Sequence, residues 1–125
     1  MFFEEPSYQT VVETSAFLRD CENTFTRTEV EELITFLATR PDADDLIPDT
    51  GGIRKLRWAA LGKGKRSGAR VIYYMHSQAL PLYLLAVYSK GEKLDLTARD
   101  KRMMRDFIEN LLQTHSDAMR PYRSK

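Results

Sequence analysis

The sequence predicts an α+β fold: a small, twisted, mainly antiparallel sheet with N-terminal helices and a C-terminal helix. Three consecutive segments, residues 53–59, 69–76 and 82–89, are rich in β-branched and aromatic residues and are separated by turn-forming connections. This pattern favours an antiparallel meander. Amphipathic stretches with helical spacing precede and follow the three segments. A helical layer over one sheet face is the natural way to bury the apolar residues of both.

The N-terminal part of the chain predicts one short strand and two helices. Residues 8–12 are a candidate strand, and residues 15–22 are a candidate helix. Thr28 and Glu31 have the spacing of a capping box at the start of the second helix, and Pro41 ends that helix. Its apolar positions repeat at i, i+3, i+4 and i+7, and they are Val30, Leu33, Ile34 and Leu37.

A loop and the meander follow. Residues 42–52 are rich in Asp, Pro and Gly, which predicts a loop. The pair Gly51 and Gly52 lets the backbone turn sharply into the first meander strand, because glycine tolerates conformations that other residues avoid.

The last helix is predicted from Thr97 to Leu112, with Asp95 or Thr97 as its cap. Residues 115–125 are predicted to be a frayed tail because Pro121 interrupts them. The helix has one apolar stripe, which we expect to pack, formed by Met103, Met104, Phe107, Ile108, Leu111 and Leu112.

Size and composition predict a single domain, residues 1–125, of an ordinary soluble protein. Apolar residues make up 42% of the chain and charged residues 30%. The longest apolar run, residues 81–88, is too short to cross a bilayer, and no secretory signal is visible. The one cysteine, Cys21, cannot form an internal disulfide and fits a reducing compartment. We therefore expect a cytoplasmic protein without a membrane partner.

Charge is divided unevenly along the chain. Residues 1–49 carry three basic and twelve acidic groups, whereas residues 50–91 carry eight basic groups and no acidic group. A concentrated cationic surface on an otherwise acidic domain is suited to a polyanion, above all a nucleic acid. The eight basic residues are Arg54, Lys55, Arg57, Lys63, Lys65, Arg66, Arg70 and Lys90.

Strand alternation sorts part of this charge onto one face. If Leu56 and Trp58 point inward, Lys55 and Arg57 point outward together. Arg70 opens the second meander strand. Near the end of the third strand Tyr88 and Lys90 share a face, with Lys93 shortly after them. These residues either converge on one concave surface or form solvated strand edges that resist edge pairing.

Four motifs resemble, in their order along the chain, those of the RelE/HigB toxins of bacterial toxin–antitoxin pairs. They are residues 51–58 (GGIRKLRW), 62–74 (GKGKRSGARVIYY), 82–90 (LYLLAVYSK) and 95–97 (DLT). The resemblance covers roughly residues 8–112, and the long basic connection between the first two meander strands makes the HigB-like subgroup the closer fit.

This resemblance implies a RelE-like fold and a toxin of a type II toxin–antitoxin system. The implied activity is that of a metal-independent mRNA endoribonuclease, which works in the ribosomal A site and inhibits translation. A ribose 2′-hydroxyl attacks the adjacent phosphate and leaves a cyclic phosphate and a 5′-hydroxyl. The implied partners are a cognate, DNA-binding antitoxin, the ribosome and mRNA, and no cofactor is expected.

The resemblance also implies roles for particular residues. Lys55 matches a strand lysine of the family, and Arg57 matches the arginine two positions further on. Arg70 matches the arginine that opens the next strand, and Lys90 matches a lysine that follows the third strand. Arginine guanidinium groups clamp phosphate, and a lysine in a cationic cluster loses its proton more easily and is a candidate base.

The chain departs from the family in two places. Gly91 stands where RelE has an arginine, and the late tyrosine of RelE has no certain counterpart. Tyr88 or Lys93 is the candidate for part of that work, so the acid and the base stay open.

Further basic residues are candidates for RNA binding: Arg54, Lys63, Lys65, Arg66 and Lys93. Three of them lie in the connection of residues 61–68, which is either an RNA-contacting hairpin or a solvated loop. It lacks the glycine and hydroxyl spacing of a Walker A motif. His76 and His115 lack metal-ligand spacing, so no metal site is predicted.

Two alternatives remain beside the toxin. A non-catalytic nucleic-acid-binding module or co-repressor needs only net positive charge, whereas the enzyme needs its cations within reach of one phosphate. A degenerate toxin, in which Gly91 marks lost catalysis, is the other possibility.

Overall fold

A computed structural model of the chain describes residues 9–22, 24–43, 45–48, 50–58, 68–77, 79–89 and 96–118, with side chains up to residue 114. These ranges contain three helices and a five-stranded mixed sheet, which confirms the predicted α+β class. The chain divides into two compact units, Met1–Leu94 and Asp95–Lys125. The first unit contains the sheet and two helices, and the second contains the third helix.

The N-terminal elements are strand β1 (Val11–Glu13), helix α1 (Ser15–Cys21) and helix α2 (Arg27–Thr39). Their order confirms the predicted strand and pair of helices. The side chain of Thr14 caps α1 by accepting a hydrogen bond from the backbone N–H of Phe17 at 3.3 Å.

Helix α2 begins earlier than predicted. Its capping box is Thr26 with Glu29: the Glu29 N–H donates to Thr26 Oγ1 at 3.2 Å, and the Thr26 N–H donates to Glu29 Oε1 at 2.8 Å. The predicted cap at Thr28 is therefore wrong. The earlier start places Phe25 and Val30, both buried in one core cluster, at the two positions that form a hydrophobic staple.

The sheet contains β2 (Asp45–Leu46), β3 (Ile53–Trp58), β4 (Ala69–Tyr74) and β5 (Leu82–Ser89), in the order β1-β5-β4-β3-β2. Strand β1 pairs with β5 in parallel, and the other pairs are antiparallel. The meander of β3, β4 and β5 confirms the prediction. Strand β2 lies inside the predicted loop of residues 42–52, and its two exposed residues carry no alternation that would reveal it.

The turn into β3 uses both adjacent glycines, as predicted. Gly51 and Gly52 have φ angles of 75° and 123°, which lie in the region that glycine alone adopts readily. Gly52 also lies close to the Tyr74 ring, since a Cβ atom there would be only 3.0 Å from Tyr74 Cε1.

Helices α1 and α2 pack on one face of the sheet. Phe17 of α1 and Leu33 of α2 are fully buried in one cluster with Val71 of β4 and Leu84 of β5. Burying apolar side chains is the main favourable term in folding. A polar contact also fixes α1 to β5: Thr14 Oγ1 donates to the Leu84 carbonyl oxygen at 2.7 Å.

In the second unit, helix α3 (Ala98–Ala118) begins after Thr97. The Asp100 N–H donates to Thr97 Oγ1, and the Thr97 N–H donates to Asp100 Oδ2, both at 3.0 Å. Thr97 is thus the cap. The helix continues beyond the predicted end at Leu112, so the predicted fraying from residue 115 is wrong for residues 115–118.

The apolar stripe of α3 is only partly buried. Ile108 is buried, whereas Met103 and Phe107 have exposed fractions of 58% and 41%. The expectation that the whole stripe packs is therefore wrong. None of the helices in the described ranges combines the length and the apolar character needed to cross a membrane.

Candidate nucleic-acid interface

One row of side chains crosses the three central strands at the same level. Arg57 of β3 lies opposite Arg70 of β4, and Arg70 lies opposite Tyr88 of β5. Side chains of directly opposed residues share a sheet face, and their Cβ atoms are about 4.5–5.5 Å apart. We call Arg57, Arg70 and Tyr88 the arginine row.

The arginine row lies on the sheet face opposite to α1 and α2. The neighbours of these residues along the strands, Leu56, Val71 and Val87, belong to the core cluster that contains α1 and α2. Because successive strand residues point to opposite faces, the arginine row points away from that cluster. The face thus agrees with the one that strand alternation predicts.

Lys55 adds a third cation to this face. It lies two residues before Arg57 in β3, so the two side chains share a face about 6.6 Å apart along the strand. Lys55 lies opposite Ile72, so Arg70 is its diagonal neighbour at about 7–8 Å. The register therefore brings three of the predicted site residues together on one sheet face.

Exposure decreases steadily along the arginine row. Arg57 is exposed, Arg70 is half-buried and Tyr88 is buried, with 5% of its surface exposed. Nη1 of Arg70 is buried and has no hydrogen-bond partner among the described residues. A buried donor without a partner costs about 1–3 kcal/mol, and more if it is charged. Because the charge is delocalised over the guanidinium, an anion at its exposed part lowers this cost.

The burial of Tyr88 changes what this side chain can do. Its hydroxyl oxygen has no exposed surface. A general acid or base must come within hydrogen-bond reach of the reacting atom. Tyr88 thus lies opposite Arg70 in the sheet with its hydroxyl shielded from solvent.

Asp45 is a member of this region that sequence reasoning missed. It lies in β2, directly opposite Lys55. Opposite charges in such a cross-strand position contribute about 0.2–1 kcal/mol. Because β2 is only two exposed residues long, no pattern in the sequence could have placed this carboxylate beside the cations.

Arg54, which the sequence predicts to bind RNA, does not join the row. Arg54 lies on the opposite face, between Ile53 and Lys55, and its Nη1 donates to the Asp42 carbonyl oxygen at 3.4 Å. The remaining predicted site residues lie outside the described residues, and they are Lys63, Lys65, Arg66, Lys90 and Lys93.

Two other reactive side chains among the described residues are Cys21 and His76. Burial, with the nearby carboxylates Glu13 and Asp20, raises the pKa of Cys21 to about 12, so its thiol is protonated and a poor nucleophile at neutral pH. His76 stacks on Tyr74 with ring centroids 6.2 Å apart. Across the described ranges no cluster of three or more His, Cys, Asp or Glu residues could hold a metal ion.

Lys55, Arg57 and Arg70 therefore form the cationic part of this sheet face, and we call these three residues the cationic face. Ile53, Ile72 and Tyr74, on the same side of the sheet, are buried. Lysine and arginine side chains bind phosphate by charge-assisted hydrogen bonds. A scan against models of known protein families finds no family that matches the chain. Function has to be inferred from this face and from the charge distribution.

Proposed function

We propose that this protein is a RelE/HigB-like toxin of a type II toxin–antitoxin system, an mRNA endoribonuclease that acts in the ribosomal A site. The observation that carries the proposal is the register that juxtaposes Arg57 with Arg70 and places Lys55 on the same face. The resemblance of residues 51–97 to the RelE/HigB toxins supports the choice of RNA over other polyanions.

In the proposed reaction the arginines hold the scissile phosphate. Arg70 donates two parallel hydrogen bonds to its oxygens, and Arg57 stabilises the charge that grows on them. Pre-positioned donors of this kind act on the transition state more strongly than on the bound RNA. The exposed Arg57 and the half-buried Arg70 together form the two sides of this clamp.

Lys55 is the proposed base. Its amine takes the proton of the ribose 2′-hydroxyl, the 2′ oxygen forms a bond with phosphorus, and the bond from phosphorus to the 5′ oxygen breaks. The departing 5′ oxygen needs a proton donor. Since the Tyr88 hydroxyl is buried, Lys90 and Lys93 are the remaining candidates for this acid.

The proposed setting is the bacterial cytoplasm, with mRNA and the ribosome as partners and no cofactor. An unrestrained nuclease of this kind would arrest its host, so a cognate antitoxin that also binds DNA is part of the proposal. Residues 50–91 carry eight basic groups and no acidic group, which supports association with RNA and the ribosome.

Inducible expression in bacteria, followed by mapping of mRNA 5′ ends, tests this proposal. The wild-type chain should arrest growth and produce new 5′ ends within codons. Arg70→Ala should lower cleavage about a hundredfold or more, as loss of one transition-state contact commonly does. Arg70→Lys should also be damaging because lysine cannot donate two parallel bonds. Lys55→Ala should likewise lose cleavage.

The matched control is Arg19→Ala, which removes an exposed arginine of α1 on the helical side of the sheet. It should cleave at the wild-type rate. Circular dichroism verifies that each variant is folded. Folded Arg70→Ala and Lys55→Ala variants that cleave like the wild type would refute the site, and normal growth under strong expression of the wild type would refute the toxin.

A second candidate is the non-catalytic nucleic-acid-binding module or co-repressor. The observation that favours it is the buried hydroxyl of Tyr88, which leaves the described part of the cationic face without an accessible acid. One assay with purified ribosomes and mRNA distinguishes the two functions. Salt-dependent binding without any new 5′ end identifies the binder.

A further inference from the structure

A shallow groove lies on the helical side of the sheet, within the unit Met1–Leu94. Its volume is about 440 Å³. A closed cavity of roughly 150 Å³ already admits benzene, so the groove has room for a large side chain and part of its flanking backbone. It is lined by Thr28, Glu31, Glu32, Thr35, Phe36 and Trp58.

Two aromatic rings form the floor of the groove. The centroids of Phe36 and Trp58 are 5.1 Å apart, with the ring planes inclined at 45°. The Trp58 indole N–H donates to the Glu29 carbonyl oxygen at 3.2 Å, which fixes the ring against α2. Such a floor offers apolar surface to an entering side chain, with its shape set before any ligand binds.

The rim of the groove is acidic. Glu31 and Glu32 are both exposed along it. Glu31 forms a surface ion pair with Arg27 at 3.5 Å, in which both side chains are more than 60% exposed. An exposed pair of this type is weak, so it yields easily to a competing cation. Residues 11–39, which contain α1 and α2, carry six acidic and two basic groups.

The groove and the arginine row lie on opposite faces of the sheet. Arg57 and Trp58 are successive residues of β3, so their side chains point in opposite directions. The lining of the groove contains two acidic residues and no basic residue, whereas the arginine row contains two arginines. Ligands of opposite charge can occupy the two faces at the same time.

We propose that this groove is a docking site for a basic segment of a protein partner, one that packs a large apolar side chain onto the exposed surface of Phe36 and Trp58 and places Lys or Arg beside Glu31 and Glu32. Charge complementarity selects this occupant, because a nucleic acid or an acidic peptide is repelled by the rim. The apolar floor supplies the anchor that a stable contact needs. The inference does not depend on the proposed nuclease activity.

The test uses Trp58 as its reporter, since it is the only tryptophan in the chain. Short random peptides displayed on phage are selected on the full-length protein. The enriched peptides are synthesised with Phe in place of any Trp and are titrated while the emission of Trp58 is recorded. We expect enriched peptides to carry Lys or Arg around Leu, Met or Phe, to change the Trp58 emission, and to bind more weakly as salt rises.

Charge reversal then assigns the binding to the rim. The double variant Glu31→Lys with Glu32→Lys should weaken the peptides by about tenfold or more, which is about 1.4 kcal/mol per factor of ten. The matched control is Glu22→Lys with Glu109→Lys, because both residues are exposed acids outside the groove. The control should bind within about twofold of wild type, well below a tenfold effect. Circular dichroism confirms that both variants are folded.

Several outcomes would overturn the proposal. They are a selection that enriches no peptides or only acidic ones, peptides that leave the Trp58 emission unchanged, and peptides that bind the charge-reversed rim as tightly as the wild type.

A second copy of the chain could instead place its cationic face on the rim. Sedimentation that shows a salt-sensitive dimer, lost in the charge-reversed double variant, would assign the groove to that copy and reject the separate partner.

Discussion

Arg57 and Arg70 lie directly opposite each other in the antiparallel pairing of β3 and β4, so two side chains of like charge share one sheet face. Like charges in this position destabilise a sheet. Arg70 also has a buried Nη1 without a hydrogen-bond partner in the described part of the chain. The folded protein thus carries a local electrostatic cost that a phosphate bound at the exposed part of these side chains would lower. Such a cost does not stabilise the fold, and it is expected where a protein binds an anion.

The first prediction is that Arg57→Gln stabilises the protein while it weakens RNA binding. Glutamine keeps a long polar side chain but removes the repulsion with Arg70, so we expect a gain of about 0.2–1 kcal/mol in the free energy of unfolding. Arg57→Glu should gain at least as much by placing a carboxylate opposite Arg70. Urea denaturation at low ionic strength measures the gain, and filter binding with RNA measures the loss.

Arg19→Gln is the control for this prediction, because Arg19 is an exposed arginine of α1 on the helical side of the sheet. It should change neither quantity much. The gain for Arg57→Gln should also shrink as salt screens the repulsion. A destabilised Arg57→Gln variant would mean that the two arginines do not repel each other in the folded state.

Part of the candidate site follows from the sequence alone. Lys55 and Arg57 share a face because strand side chains alternate with a period of two, and β3 is long enough to show it. The alignment of Arg57 with Arg70 and of Arg70 with Tyr88 is a matter of register. Register depends on the connections and on an irregularity in β4–β5 pairing between Ile72 and Tyr73, which a local pattern does not contain.

Other features escaped prediction for identifiable reasons. Both Thr26 with Glu29 and Thr28 with Glu31 fit the capping-box spacing, so spacing alone could not choose between them. The hydrophobic staple does choose, since Phe25 precedes Thr26. The burial of Tyr88 could not be foreseen, because burial depends on tertiary packing and cannot be read from the local sequence of β5.

The second prediction concerns the buried Tyr88. Tyr88→Phe should lower RNA cleavage by less than about tenfold, because a hydroxyl without exposed surface does not reach the substrate. Tyr88→Ala should cost about 3–5 kcal/mol of folding free energy, as large-to-small substitutions of buried aromatic residues do. Primer extension and urea denaturation provide the two readouts. A loss of about a hundredfold or more in a folded Tyr88→Phe variant would restore Tyr88 as a general acid.

The third prediction is a loss of stability at alkaline pH that depends on Cys21. Its folded pKa is raised from 9.0 to about 12, mainly by burial. The protonated thiol therefore favours the folded state fully below pH 9, and this contribution is lost as the pH rises from about 9 to about 12. Burial also raises the pKa of Tyr74, which acts in the same direction.

Cys21→Ala should flatten the decline in stability above pH 9 without abolishing it, since Tyr74 remains. Urea midpoints at neutral and alkaline pH measure the difference between the variant and the wild type. Thiol labelling of the wild type offers an independent check: it should be slow at pH 8 in the folded protein and fast in urea. An identical pH dependence for variant and wild type would show that the pKa of Cys21 is no higher in the folded state than in the unfolded state.

The last prediction concerns the basic connection with Lys63, Lys65 and Arg66. Replacing all three by Ser should weaken binding to RNA or ribosomes more at low salt than at high salt. If each residue contacts one phosphate of a single strand, the slope of log affinity against log salt should fall by about 0.7 per residue, or roughly 2 in total. Cleavage at saturating protein should persist, because Lys55, Arg57 and Arg70 are unchanged. A slope equal to that of the wild type would mean that the connection is solvated and contacts no phosphate.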